Sequence, residues 1–200
     1  MKRLLKLLLA IAAGLALPMT AQQLQLSGNF ALDTTLNPIP CLSIASQAGS
    51  TLQFSVNDFS VDQYVGQGGW SDTVNRSICA VDFQLTKDGG DISLNTYMAE
   101  IWTIDGSTNL VALQATSNTL IGTNTWSSFP VHFVFATPYS YTANTAIAIV
   151  VTSTATSSAN FCDSYVNSSE TITGQACQWK STLAPNHILN AGTVMTVYGQ

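Results

Sequence analysis

Residues whose types could support catalysis are few in this chain of 200 residues. Its histidines are His132 and His187, and a Ser-His-Asp triad would need one of them within hydrogen-bond reach of the nucleophile. Neither a GxSxG nor an HExxH motif occurs. His132 faces away from an apolar stripe of its predicted strand, and His187 follows Pro185-Asn186 in a predicted loop. Because many serines would serve equally well as nucleophile, the sequence favours surface or hydrogen-bonded histidines and predicts no enzyme.

Carboxylates offer two further kinds of site. A glycosidase needs two carboxyl groups flanking the scissile bond, but Glu100 lies on a predicted strand and Glu170 in a distant polar segment. Asp58, Asp62 and Asp72 share one predicted loop and could together ligate calcium, because hard cations take clustered oxygen ligands. Their spacing matches no EF-hand loop. The sequence therefore predicts no resident cofactor, with calcium as the alternative.

Aromatic side chains are the better binding candidates. Exposed indole and phenol rings are flat apolar platforms with a polar edge, and the apolar faces of sugars stack on such surfaces. Trp102 ends a core strand and is expected to pack inside. Trp70 and Trp179 lie in glycine-rich or polar segments, as does Tyr64, and these three are the predicted ligand contacts. The alternative for them is packing against an end of the fold.

Alternating apolar and polar residues predict the elements that must hold such a site. Residues 79–85, 97–102 and 129–135 each alternate with a period of two, which is typical of half-buried strands. Residues 146–151 are apolar throughout, as in a central strand covered on both faces. Gly- and Asp-containing turns separate these runs. We expect an all-β, two-sheet antiparallel jelly-roll sandwich of about eight strands.

The segments outside this central stretch are less regular. Residues 24–32 and 52–56 alternate and are predicted strands, and residues 193–198 predict a closing strand. Residues 58–72, which are rich in glycine, are predicted to be a loop. Residues 159–183 have weak periodicity and are predicted to be an irregular excursion, with short strands in it as the alternative.

The first 21 residues have the order of a secretory signal peptide. A basic start at Lys2, Arg3 and Lys6 precedes an apolar core over residues 7–17, which is short for a membrane span. Removing this segment leaves a single predicted domain, residues 22–200, with three basic residues against eleven acidic ones and a net charge of −8. So acidic a chain lacks the basic surface that nucleic acid or an anionic membrane requires. We expect a secreted protein, extracellular or on the cell surface, with no membrane span in its mature form.

Four cysteines in an exported chain favour disulfides, with three connectivities open. No CxxC pair is present, which makes zinc the weaker interpretation. We expect Cys162 to pair with Cys177, because the polar segment between them buries too little apolar area to order itself. We also expect a Cys41–Cys79 bridge. The alternative for Cys79, which shares an apolar stripe with Val81, is a buried free thiol.

Three segments together resemble a known class of secreted bacterial jelly-roll module. They are YVGQGGW followed by SICAVDFQLTKDGG, then YMAEIWTIDGSTNLVALQATSNTL with WSSFPVHFVFATPYSYTANTAIAIVV, and the ending MTVYGQ. In this order they are similar to choice-of-anchor domains of the R type, over most of residues 60–200. The resemblance implies a galactose-binding-like β-sandwich in an exported or surface protein, with no catalytic residues to transfer. The four cysteines are not part of that pattern.

These observations favour one function over two alternatives. The chain is expected to be an exported, non-catalytic module that binds a glycan, a surface polymer or another extracellular component. The first alternative is a structural matrix or surface protein with no small ligand. The second is a glycan-active hydrolase or lyase, which would need a cleft with two carboxyl groups about 5–9 Å apart.

Overall fold

Two antiparallel β-sheets pack face to face, which confirms the predicted all-β sandwich. The structure is a computed structural model and describes residues 40–48, 52–56, 64–126, 129–153, 162–169, 172–179 and 184–200. Pro40–Gln200 forms one compact unit. The predicted signal peptide and the predicted strand at residues 24–32 lie outside the described residues. No helix in the described ranges is long and apolar enough to cross a membrane.

The described residues form fourteen strands, more than the eight or so expected, because several short strands extend both sheets. Seven of them make up sheet A, in which β14 lies between β1 and β4, and β8 also pairs with β4. The strands of sheet A are β1 (Leu42–Ser46), β2 (Leu52–Val56), β4 (Arg76–Lys87), β8 (Phe129–Tyr141), β10 (Cys162–Asn167), β13 (Gly192–Thr193) and β14 (Met195–Gly199).

Sheet B contains the other seven strands, six of them in the order β12-β11-β3-β9-β5-β6, with β7 paired to β5. They are β3 (Tyr64–Trp70), β5 (Thr96–Ile104), β6 (Leu110–Thr116), β7 (Leu120–Ile121), β9 (Ile147–Ser153), β11 (Gln175–Trp179) and β12 (Pro185–Leu189). A single 3₁₀ turn, Ile92–Leu94, precedes β5. The apolar run predicted as a central strand is β9, which has β3 on one side and β5 on the other.

The main core fills the space between the inner faces of the sheets. Val81, Phe83 and Leu85 of β4 are fully buried, as the alternation of that strand predicts. Phe83 meets Phe133 of β8 edge to face, with ring centroids 6.3 Å apart. Alternation therefore fixes which side chains of sheet A are left on its outer face.

Strands occur in a segment predicted to be a loop and in the predicted excursion, for which short strands were the alternative. Tyr64–Trp70, expected to be a loop, is strand β3 in the middle of sheet B. Its glycines interrupt the alternation of apolar and polar residues, so the sequence pattern did not indicate a strand. Gly66 is required in this strand because a Cβ there would collide with the Ile149 carbonyl oxygen. The excursion expected over residues 159–183 contains β10 and β11, and each of these strands pairs on both sides.

A Cys41–Cys79 disulfide joins the chain just before β1 to β4, with 6.2 Å between the Cα atoms, and confirms that predicted pair. The expectation that Cys79 shares the core stripe with Val81 is wrong. The β14–β4 and β4–β8 registers both shift at Cys79, so Ile78 takes the core position and Cys79 turns toward Cys41.

Candidate functional site

Three side chains from three strands meet on the outer face of sheet A. Asp82 lies on β4 between the inward-facing Val81 and Phe83, so its own side chain points outward. In the strand register it stands opposite His132 of β8 on one side and Thr196 of β14 on the other. Tyr198 of β14 pairs with Ala80, two residues before Asp82, and so reaches the same face.

Asp82 accepts hydrogen bonds through both carboxylate oxygens. His132 Nδ1 lies 2.5 Å from Oδ1, and the Tyr198 hydroxyl donates to Oδ2 at 2.7 Å. An ionised carboxylate is only an acceptor, so Nδ1 is the ring nitrogen that donates to it. The His132 side chain is 55% exposed whereas that of Asp82 is 15% exposed, so the carboxylate lies deeper in the site than the imidazole.

The Tyr198 ring completes this arrangement. It meets the His132 ring edge to face with centroids 5.5 Å apart. The hydrogen bond to Asp82, followed by burial and the negative charge of Asp82, raises the pKa of Tyr198 to about 12. Tyr198 therefore stays protonated and continues to donate to Asp82 across the physiological pH range.

A shallow groove of about 230 Å³ lies beside Asp82, between β14, β4 and the start of β8. Gln84 and Pro130 line one side of it, and Ser46 and Thr196 line the other. The Ser46 and Thr196 hydroxyl oxygens are 3.1 Å apart and hydrogen-bonded to each other. The groove thus has both polar and apolar walls, is open to solvent and is bordered by the Asp82 carboxylate.

Of the three predicted aromatic contacts, Trp70 lies apart from the other two. Trp70 is 1% exposed and packs in the main core against Tyr141, with ring centroids 5.0 Å apart. The β3–β9 register shifts between Gly68 and Trp70, where Gly69 has a φ of +77°, and this shift places Trp70 inside. Trp70 is therefore a core residue and not the exposed platform that was expected.

Trp179 and Tyr64 do come together, in a second apolar cluster on the outer face of sheet B. Trp179 is fully buried there. Its ring lies over Gly68, where an added Cβ would be 3.1 Å from the indole. Tyr64 is half-buried and meets Trp102 edge to face at 5.8 Å. Burial of Trp179 means that the predicted exposed pair of indoles is absent.

Glu100 is the charged member of this second cluster and is 8% exposed. Its Oε2 accepts a 2.7 Å hydrogen bond from Trp102 Nε1. Burial raises the pKa of Glu100, and the hydrogen bond from Trp102 only partly opposes that rise. Burial and the Glu100 charge also raise the pKa of Tyr64.

The predicted Cys162–Cys177 disulfide is wrong, since both residues are buried free cysteines. Cys162 on β10 faces the main core, whereas Cys177 on β11 belongs to the cluster on the outer face of sheet B. A sheet therefore separates the two thiols. The described residues between them, 163–169 and 172–176, are held by strand pairing and by Gln67, whose side-chain amide donates to the Thr173 carbonyl at 2.9 Å.

Of the predicted calcium ligands, Asp58 and Asp62 lie outside the described residues. Asp72 forms an ion pair with Arg76, in which Arg76 Nε donates a 2.8 Å hydrogen bond to Asp72 Oδ2. This hydrogen bond lowers the pKa of Asp72. No group of three or more His, Cys, Asp or Glu able to hold a metal occurs within the described ranges.

His187 is on strand β12, opposite Gln178, and not in a loop as expected. The sequence did not single out Asp82 or Tyr198. A signal for Asp82 was present, because it alternates with Val81 and Phe83 on the polar face of a predicted strand. Its neighbours depend on which strands pair, and β14 comes more than a hundred residues later, so local pattern could not assemble the site.

Comparison with known proteins adds no assignment: no protein-family model matches this chain, and no curated protein matches it.

Proposed function

We propose that this chain is an exported, non-catalytic β-sandwich module that binds a glycan or another cell-surface or extracellular component. The observation that carries the proposal is the junction of Asp82, His132 and Tyr198 beside the groove on sheet A. A carboxylate and an imidazole held in fixed positions give directed hydrogen bonds at low entropic cost. The half-exposed Tyr198 ring adds a flat apolar surface to these polar groups.

Two features support export. The first 21 residues have the basic start and apolar core of a secretory leader. The Cys41–Cys79 bridge fits an oxidising compartment, where such bonds persist. The likeness of residues 60–200 to choice-of-anchor modules points to the same class of protein.

The proposal is tested with the full chain expressed with its own leader. The exported protein is collected, its N-terminus is sequenced, and binding to soluble polysaccharides is measured by affinity electrophoresis and calorimetry. We expect the leader to be removed near residue 21 and at least one polysaccharide to be bound. His132→Ala should weaken that binding about tenfold or more, the equivalent of about 1.4 kcal/mol.

Gln114→Ala is the matched control, because Gln114 is an exposed polar residue on β6 of the other sheet. It should leave binding unchanged. Binding that is lost with Gln114→Ala and retained with His132→Ala would place the site elsewhere. A folded, exported chain that binds nothing in the panel would favour a structural matrix protein. Cleavage of a bound polysaccharide would replace the proposal with an enzyme.

A further inference from the structure

We infer that the ligand of the Asp82–His132–Tyr198 site is a neutral, hydroxyl-rich glycan and that acidic glycans are excluded. This inference rests on the proposed function, since it specifies the ligand class of the same site. It follows from two properties of the outer face of sheet A: the direction of its hydrogen bonds and the placement of its charges.

The polar atoms that Asp82, His132 and Tyr198 present are mainly hydrogen-bond acceptors. Each Asp82 oxygen accepts one bond within the protein, and a carboxylate has about four lone-pair sites, so lone pairs remain for a ligand. The Tyr198 hydroxyl uses its hydrogen on Asp82 and presents only lone pairs outward. With Nδ1 of His132 protonated, Nε2 of the neutral ring is an acceptor as well. A matching ligand must supply donors, which sugar hydroxyls do.

The charges of the described residues exclude an anionic ligand from this face. The described lysine and arginine residues are Lys87 and Arg76, five and six positions from Asp82 along β4. At about 3.4 Å per residue their Cα atoms lie about 17 and 20 Å away, beyond the screening length of about 8–10 Å. Arg76 is also paired with Asp72. The carboxylate of an acidic sugar would therefore face Asp82 with no lysine or arginine of the described residues near enough to compensate.

The shape of the groove agrees with a sugar chain bound one unit at a time. Its volume of about 230 Å³ is below the roughly 300–1,000 Å³ of sites that enclose a whole small molecule. The groove opens onto a sheet face that carries exposed Pro130 and the half-exposed Tyr198 ring. A polymer can lie across this face while a single unit meets Asp82.

The test compares neutral β-glucan, xylan and galactomannan with acidic polygalacturonate and alginate and with cationic chitosan, all at about pH 8, where an imidazole is ordinarily neutral. Affinity electrophoresis and calorimetry on the full chain give the dissociation constants. We expect at least one neutral glycan to bind about tenfold or more tightly than any acidic or cationic one. Asp82→Asn should weaken that neutral binding about tenfold.

Two variants keep the result independent of folding defects and of overall charge. Asp88→Asn removes the same charge from an exposed turn after β4, so it should change neither ligand preference nor affinity. His132→Gln alters an exposed side chain and should weaken binding of the neutral glycan even if Asp82→Asn fails to fold.

The outcomes separate this inference from the proposed function. Tighter binding of polygalacturonate, alginate or chitosan than of any neutral glycan, with loss in His132→Gln, overturns the inference and leaves a binding module. Equal effects of Asp82→Asn and Asp88→Asn also overturn it, because net charge alone would then set the preference. Failure to bind any of the six polysaccharides overturns the inference and leaves, of the proposed function, only binding to a component other than a glycan.

Discussion

The indole nitrogen of Trp179 donates a 2.8 Å hydrogen bond to the carbonyl oxygen of Thr108, which lies 71 residues earlier in the chain. Thr108 occupies the turn between β5 and β6 with a φ of +61°, and Trp179 ends β11 on the far side of sheet B. The bond therefore spans the outer face of that sheet and joins its β5–β6 hairpin to β11.

Trp179→Ala should destabilise the fold by about 3–5 kcal/mol, because it removes a fully buried indole and leaves a cavity over Gly68. Urea unfolding followed by circular dichroism measures the loss. Trp126→Ala, at a half-buried tryptophan, is the control and should cost less. An equal loss in the two variants would mean that the cluster on the outer face of sheet B contributes little.

Glu100→Gln should make stability less dependent on pH. Burial raises the pKa of Glu100 in the folded state above its ordinary value of 4.5. Between pH 4.5 and that higher pKa, the folded state therefore binds more protons than the unfolded state. Wild-type stability falls through this window, and the penalty is complete above it. The glutamine keeps an oxygen for Trp102 Nε1 and carries no charge. We expect Glu100→Gln to be more stable at neutral pH by about 1 kcal/mol and to converge with wild type in acid.

Asp105→Asn supplies the control of opposite sign for Glu100→Gln. Asp105 is exposed, and hydrogen bonds from Asn109 and Ser107 lower its pKa. The stability that Asp105 contributes to the folded state is present above its pKa in the unfolded chain. It is lost as pH falls through its pKa in the folded state. Asp105→Asn should therefore be less stable than wild type at neutral pH, with a gap that closes in acid. Unfolding free energies across the pH range would contradict the argument if both variants shifted in the same direction.

The four cysteines should behave as one bridge and two inaccessible thiols. Burial raises the pKa of Cys162 and of Cys177, that of Cys177 to about 11, so native protein should react slowly with a thiol reagent. In denaturant without reductant, two thiols per chain should react. Non-reducing peptide mapping should recover the Cys41–Cys79 link. A Cys162–Cys177 link, or no free thiol, would contradict the arrangement.

Replacing both bridge cysteines tests the energetic role of that link. Cys41 and Cys79 are 38 residues apart, and closing a loop of that length stabilises a fold by about 4 kcal/mol in the chain-entropy model. The Cys41→Ser/Cys79→Ser double variant should lose stability of that order. Cys162→Ala provides a comparison in which no cross-link is removed.

Thr193→Val should increase stability. Thr193 is fully buried between the sheets, and its hydroxyl oxygen has no hydrogen-bond partner among the described residues. Valine has nearly the same shape without the cost of burying that hydroxyl, and the backbone N–H still donates to Gln67 at 2.8 Å. We expect a gain of about 1 kcal/mol in the free energy of unfolding.

Thr103→Val is the paired control for Thr193→Val. The Thr103 hydroxyl oxygen accepts from the Ala112 backbone N–H at 3.1 Å, so valine should destabilise the fold there. A loss of stability in Thr193→Val comparable to that in Thr103→Val would show that the buried hydroxyl does make a bond.

The sequence predicted those parts of the fold that depend on local pattern. Period-two alternation identified β4, β5 and β8, and an unbroken apolar run identified β9. It failed at β3, because glycines required by close approach to β9 also resemble loop residues. It also failed on the second cysteine pair, since opposite faces of a sheet cannot be read from spacing along the chain.

The candidate site was harder to predict than the fold. Trp70 and Trp179 were selected by residue type and local composition, but a one-residue register shift buries the first and a second apolar cluster buries the second. Asp82, His132 and Tyr198 come together only through pairing between strands that are 50 or more residues apart. Register across long separations is a property of the whole sheet, so no single segment encodes it.

The position of β14 between β1 and β4 sets an order of assembly for sheet A. During synthesis Cys41 and Cys79 emerge well before Met195–Gly199, so the bridge between them can close while the place of β14 is still empty. The last strand then inserts between two strands that are already tethered. It brings Tyr198 to Asp82 as it does so, and the junction of Asp82, His132 and Tyr198 therefore forms only after Met195–Gly199 has been made.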